Sequence, residues 1–151
     1  MTSTGVVLLV VGILALNALV QAAVWVPILR KRKRALLDLG EELSRASEKT
    51  VRAPVSTTFV AAAGMVVRSG MAIAALSEKR LFIQRVFGQR QVFSPGEIAR
   101  VQVARRFRSR MFGGREFVIL TLAGGHDAAF TVARGDGAGW QADLEKHIVA
   151  R

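Results

Sequence analysis

Ile98-Ala99-Arg100-Val101-Gln102-Val103 is the stretch that decides the fold. Read with a period of two, Ile98 and Arg100 share one face while Ala99, Val101 and Val103 share the other, so the segment is expected to be a strand with one wet face. The same texture extends in both directions as short apolar runs separated by turn residues. Strands are expected at 57–68, 71–76, 80–87, 90–93, 98–107, 116–123 and 127–133. Turns are supplied by Ser69-Gly70, Ser77-Glu78-Lys79, Phe87-Gly88-Gln89, Pro95-Gly96, Gly113-Gly114 and Gly124-Gly125, all residues that tolerate turn conformations. After Gly139 the pattern changes to Trp140, Leu144 and Ile148, four residues apart, which predicts one C-terminal helix with an apolar stripe. Residues 54–151 thus read as a mainly β domain of about seven antiparallel strands closed by a helix.

Upstream of Pro54 the period is helical. Leu36, Leu39, Leu43 and Ala46 recur at spacings of three and four, with Asp38, Glu41, Glu42, Arg45, Glu48 and Lys49 between them. An amphipathic connector helix is expected over 35–52, supported by Glu41 with Arg45 and Glu48 with Arg52, and ended by Pro54, whose ring and missing N–H stop a helix. Its apolar stripe covers about two heptads, fewer than the three or four of a confident coiled coil, so packing on the chain's own domain or on a membrane surface stands beside a coiled coil as its expected use. Residues 30–53 therefore form a basic juxtamembrane segment and this helix.

Residues 1–29 carry no charged side chain, so the other 122 of the 151 residues hold every Lys, Arg, Asp and Glu. From Val6 to Leu29 only Gly12, Asn17, Gln21 and Pro27 interrupt an apolar run. As a helix this run is about 36 Å long, enough to cross a hydrocarbon core of about 30 Å with some tilt. The charges Arg30-Lys31-Arg32-Lys33-Arg34 follow the apolar run, whereas a cleavable signal peptide carries them in front. They predict a transmembrane anchor with the amino terminus outside and the remainder cytoplasmic, because basic residues resist translocation. Trp25 suits the interface at the basic end. Asn17 and Gln21 share a helix face at membrane depth, where an amide needs a partner. The partner is either a second helix, of the same or another protein, or else a local group on the same chain or water reached by the flexible side chains.

Two further segments carry a family resemblance. Ala75-Leu76-Ser77-Glu78-Lys79-Arg80-Leu81-Phe82-Ile83 is similar to the "lT..Rl" hairpin of bacterial pleckstrin-homology (PH) and GRAM-type domains, with Ser77 in place of the usual Thr. Phe93-Ser94-Pro95-Gly96-Glu97-Ile98-Ala99-Arg100-Val101 is similar to their "ip..eI..v" segment, and the helix carrying Trp140 resembles the PH capping helix. The resemblance covers roughly residues 55–149 and implies a PH-like bent antiparallel barrel with an open end capped by that helix. In PH domains the phosphoinositide site lies on the first β-hairpin loop. That position holds Arg68-Ser69-Gly70, with one cation, so a specific inositol-phosphate pocket is not expected.

The net charge of +11, from 22 Lys and Arg against 11 Asp and Glu, favours anionic partners. It concentrates in Arg100, Arg105, Arg106, Arg108, Arg110 and Arg115, six arginines in sixteen positions with no acid between them. Phe107, Met111 and Phe112 are interleaved with them. A loop of this kind can contact anionic phospholipid, gaining about 1 kcal/mol per charge near the surface, with its apolar residues inserted as a tip. It can equally meet an acidic protein surface, or remain a solvated basic loop. Nucleic acid is the weaker alternative, since no recognition motif accompanies the arginines.

Catalytic signals are missing. Cysteine is absent, which excludes disulfides, thiolate metal sites and cysteine nucleophiles. His126 and His147 are the only histidines and lack metal-ligand spacing or a serine nucleophile motif. Gly135-Asp136-Gly137-Ala138-Gly139 imitates a phosphate loop, but no parallel strand follows and Asp136 would repel phosphate. It reads as a β-to-α connection with Asp136 near the helix start, where an acid suits the helix dipole. A binding and scaffolding module without cofactor or metal is expected; a structural subunit of a larger membrane complex is the alternative.

Overall fold

The computed structural model describes residues 3–60, 69–108 and 110–149, and divides into two compact units, 1–34 and 35–151. In the first unit α1 (Ser3–Arg45) begins, and its apolar window is wholly unburied. By length and composition this helix is able to cross a membrane. Pro27 lies inside it and cannot donate to the Ala23 carbonyl, a loss that membrane helices tolerate.

The second unit contains the last turns of α1 and a seven-stranded antiparallel sheet. Its strands are β1 (Thr50–Val60), β2 (Ser69–Ser77), β3 (Leu81–Arg85), β4 (Arg90–Phe93), β5 (Ile98–Ala104), β6 (Arg115–Leu122) and β7 (Asp127–Ala133). They are ordered β4-β3-β2-β1-β7-β6-β5. The sheet curls into a half-barrel, and its first and last strands meet at its centre. Among the described residues Phe59 with Phe130 and Val60 with Ala129 are in register there. Beyond them the buried hydroxyls of Thr57 and Thr131 bridge the diverging backbones, Thr57 Oγ1 donating to the Thr131 carbonyl and Thr58 N–H to Thr131 Oγ1 at 3.0 Å. The chain ends in α2 (Gly137–Leu144) and a single wide π turn, Glu145–Val149. Trp140, Leu144 and Ile148 are buried in the hollow of the sheet, with Trp140 edge-on to Phe130 at 5.2 Å.

All seven expected strands are present, with three corrections. First, the connector is not a separate helix over 35–52. It is the end of α1, stopping at Arg45, with Ser47 left-handed (φ 52°) and β1 starting at Thr50. Pro54 therefore sits inside a strand, within the register shift between Arg52 and Val55, where a missing N–H does not break the ladder. Glu41 pairs with Arg45 as expected (2.8 Å). The Glu48–Arg52 pair does not form: Glu48 holds Arg80 at 2.6 Å, and Arg52 holds Asp143 at 2.6 Å and Asp136 at 3.1 Å.

Second, β5 does not alternate as read. The register slips by one between Ile98, opposite Leu122, and Arg100, opposite Thr121. This bulge turns both Ile98 and Val101 inward and leaves Ala99 and Arg100 exposed. Third, the 61–68 part of the first expected strand, including Arg68, lies outside the described residues.

Both faces of the sheet are partly covered, which explains why β2 is buried continuously from Ala72 to Ser77. Ala72, Ala74 and Leu76 face the main core, whereas Ile73 and Ala75, with Phe82 of β3, lie under Leu39 and Leu43 of α1. Across the sheet, Val118 and Leu120 of β6 point inward and Phe117 points outward.

Candidate functional site

Phe117 needs a cover, and the connection between β5 and β6 provides it. Phe107 is buried against Phe117 with ring centroids 6.0 Å apart, and Phe112 packs on the same ring at 5.7 Å. Phe107 is closed into a tight turn with Arg110, each N–H donating to the other's carbonyl at 3.1 and 2.9 Å. Arg108, with a φ of +46°, occupies this turn. The loop is thus a flap held on the outer face by two aromatic anchors. Phe107 and Phe112 are not the projecting tip that their spacing suggested. Met111, 58% exposed, is the large apolar residue that does project.

With the aromatics pinned inward, the cations face water. Arg105, Arg106, Arg108 and Arg115 are exposed and Arg110 is half-buried. The partners they have are uncharged. Arg108 lies 5.5 Å from the Phe107 ring centroid, Arg106 Nε donates to Met111 Sδ at 3.0 Å, Arg110 donates to Ser69 Oγ, and Arg115 donates to Thr131 Oγ1 at 3.3 Å. Among the described residues none of these five guanidinium groups is ion-paired. Three arginines elsewhere in the unit are neutralised: Arg52 by Asp136 and Asp143, Arg80 by Glu48, and Arg90 by Glu42. The loop is therefore a locally uncompensated positive surface.

The sequence did not single out Arg134. The Arg115–Ala133 register brings it beside the loop, where its N–H donates to the Gly114 carbonyl at 3.2 Å. Nineteen positions separate Arg115 and Arg134, and only the β6–β7 hairpin makes them neighbours.

The remaining candidates lie away from the flap. In the apolar helix, Gln21 Oε1 accepts a hydrogen bond from Trp25 Nε1 at 3.0 Å, a local partner for one of the two amides, while Asn17 lies one turn earlier. Arg30, Lys31, Arg32, Lys33 and Arg34 continue the same helix. The glycine at 137 is demanded by packing, whereas at 139 a side chain would meet only the far end of the flexible Arg52. A Cβ at Gly137 would lie 2.6 Å from Val103 Cγ1, and one at Gly139 would lie 2.5 Å from an Arg52 guanidinium nitrogen. Asp136 stands at the N-cap without capping through its side chain; its carboxylate holds Arg52. His126 is exposed and His147 half-buried, and among the described residues no group of His, Asp and Glu is disposed to hold a metal ion.

No protein-family model and no curated protein matches the chain. Among solved structures it is similar to the C-terminal domain of an unknown protein from Leishmania infantum, at 13% identity and a TM-score of 0.47, over 76% of this chain and 92% of that one.

Proposed function

We propose that this chain is a single-pass membrane protein, amino terminus outside, whose half-barrel is a PH-like, non-catalytic binding and scaffolding module in the cytoplasm. The observation that carries this reading is an unburied apolar helix followed by five consecutive cations, in a chain whose other unit exposes a flap of arginines without acidic partners. Five basic residues after a span favour their retention on the cytoplasmic side. The PH-like assignment is supported by the strand order and by the terminal helix seated in the hollow of the curled sheet. The ligand this reading favours is anionic phospholipid, because arginine is the cation whose planar fork fits phosphate and each charge near a negative leaflet gains about 1 kcal/mol.

Since the chain has no cysteine, Met111→Cys creates a single labelling site at the exposed end of the flap. The full chain carrying an environment-sensitive dye there is reconstituted into vesicles of phosphatidylcholine, with or without phosphatidylglycerol. A blue shift that requires the anionic lipid, persists at physiological salt and disappears when Arg105, Arg106, Arg108 and Arg110 are changed to Glu supports the reading. No shift makes the flap a protein-docking surface, and co-purification of partners in fixed ratio would then favour a subunit of a larger complex. A reporter active only in the cytoplasm, fused after Arg151, is expected to be active; activity only on export overturns the orientation.

A further inference from the structure

The base of the flap and the end of β7 converge on a cleft of about 190 Å3. Arg105, Arg115 and Arg134 line it, and Met111 and Phe112 form its apolar edge. Gly113 and Gly114 complete the lining, and a Cβ at either would meet nothing within 4 Å, so these glycines border open space. We infer that this cleft is a binding site for one phosphomonoester group, with Arg105, Arg115 and Arg134 as its ligands.

Three features lead to this chemistry. The volume is below the roughly 300 to 1,000 Å3 of sites that enclose a whole small molecule, so the cleft suits one compact charged group. No acid lines it, and none of its three guanidinium groups is ion-paired among the described residues. The acids closest in sequence to Arg115 and Arg134 are already engaged: Asp136 holds Arg52 at 3.1 Å, and Glu116 Oε2 accepts the Gly137 N–H at 3.2 Å. Three cations from separate parts of the chain face one cavity, and a phosphomonoester, with a charge of about −1.5 to −2 at neutral pH, compensates more of that charge than a singly charged diester does. Guanidinium forks also match phosphate oxygens in pairs. Arg115 and Gly114 line a second, larger opening of about 350 Å3 as well, with Val55, Val132 and Trp140 beside Ser56 and Asp136, so the remainder of a phosphorylated molecule would meet a wall that is part apolar and part polar. The inference rests on the proposed function only in taking this domain to be an anion-binding module.

A phosphomonoester can come from a lipid such as phosphatidic acid or from a soluble ester, and two arms on the full chain in mild detergent distinguish these sources. Native mass spectrometry compares phosphatidic acid with the diester phosphatidylglycerol; calorimetry titrates glycerol 3-phosphate against glycerophosphocholine. Binding that prefers the monoester in either arm and weakens roughly tenfold or more in Arg134→Gln and in Arg105→Gln, each loss being about one strong contact, is expected. Gly113→Leu, which keeps every charge and fills the opening, is expected to abolish that preference, while Arg106→Gln with Arg108→Gln leaves it intact. Monoester and diester binding equally, or binding unchanged in Arg134→Gln and Gly113→Leu, overturns the site. If it fails while the dye at position 111 still responds to anionic vesicles, the leaflet-contact reading survives; if the dye is silent and the monoester binds, the cleft stands alone.

Discussion

Ser77 and Glu48 show how one turn is held. Ser77, fully buried, accepts the Arg80 N–H at 2.9 Å and donates to Glu48 Oε2 at 2.6 Å, while Glu48 Oε1 accepts from Arg80 Nη2 at 2.6 Å. Burial alone would raise the Glu48 carboxyl, but hydrogen bonds from Arg80 and Ser77 and the charges of Arg80 and Lys79 outweigh it and hold its pKa below the ordinary 4.5. A carboxylate favoured in the folded state contributes stability above its unfolded pKa and loses it as pH falls through the folded value. Unfolding followed from about pH 6 to about pH 3 is therefore expected to show a loss below about pH 4.5 that is smaller in Glu48→Gln. A difference between the two proteins that is independent of pH would refute the coupling. At Gly137 the limit is steric: its Cβ would strike Val103 and Glu116, so Gly137→Ala is expected to cost about 1 to 3 kcal/mol in denaturant unfolding. That cost distinguishes a close approach from a flexible loop, in which alanine would be neutral. None of this was legible in order along the chain, since Glu48 and Arg80 are separated by 32 positions and Gly137 meets residues of two other strands.

Helix α1 and the β5–β6 flap solve the same problem on opposite halves of the sheet, each covering an outward-facing aromatic. The helix places Leu39 and Leu43 on Phe82, and the flap places Phe107 and Phe112 on Phe117. Leu39→Ala is expected to cost about 2 to 5 kcal/mol of domain stability, whereas Leu37→Ala, at a residue 57% exposed, stays within about 0.5 kcal/mol. Equal effects would mean that the helix end does not pack on the sheet. The same contrast applies to the flap: Phe107→Ala is expected to cost about 3 to 5 kcal/mol, and Met111→Ser almost nothing. The seven strands were legible because each short apolar run is bounded by turn residues. The helix end at Arg45 was not, because the charged stretch after it fits a helical period as well as it fits a strand whose Arg52 reaches the acids beside Trp140. Pro54 was read as the stop of a helix and is instead accommodated at a bulge.

For the molecule as a whole, on the proposed membrane-spanning reading, the number of copies that associate depends on whether the helix carries an unmet polar group. With Gln21 bonded to Trp25 on the same helix, part of the incentive for association is removed, because an amide satisfied locally gains little from a neighbour. Asn17→Leu with Gln21→Leu is accordingly expected to leave the size of the detergent-solubilised protein unchanged, measured by light scattering; a smaller particle would restore the helix-pairing idea. The apolar helix with its trailing cations, the β character of the remainder and its closing helix were all determined by local pattern, since hydropathy over 24 residues, a period of two and a period of 3.6 are properties of neighbouring positions. Tertiary structure alone decided which aromatics of the basic loop turn inward, where the bulge in β5 reverses its faces, and that Arg134 joins Arg105 and Arg115 around one cleft. Those outcomes depend on strand register and on which surface needs covering, and such pairings between distant positions leave no periodic trace in the sequence.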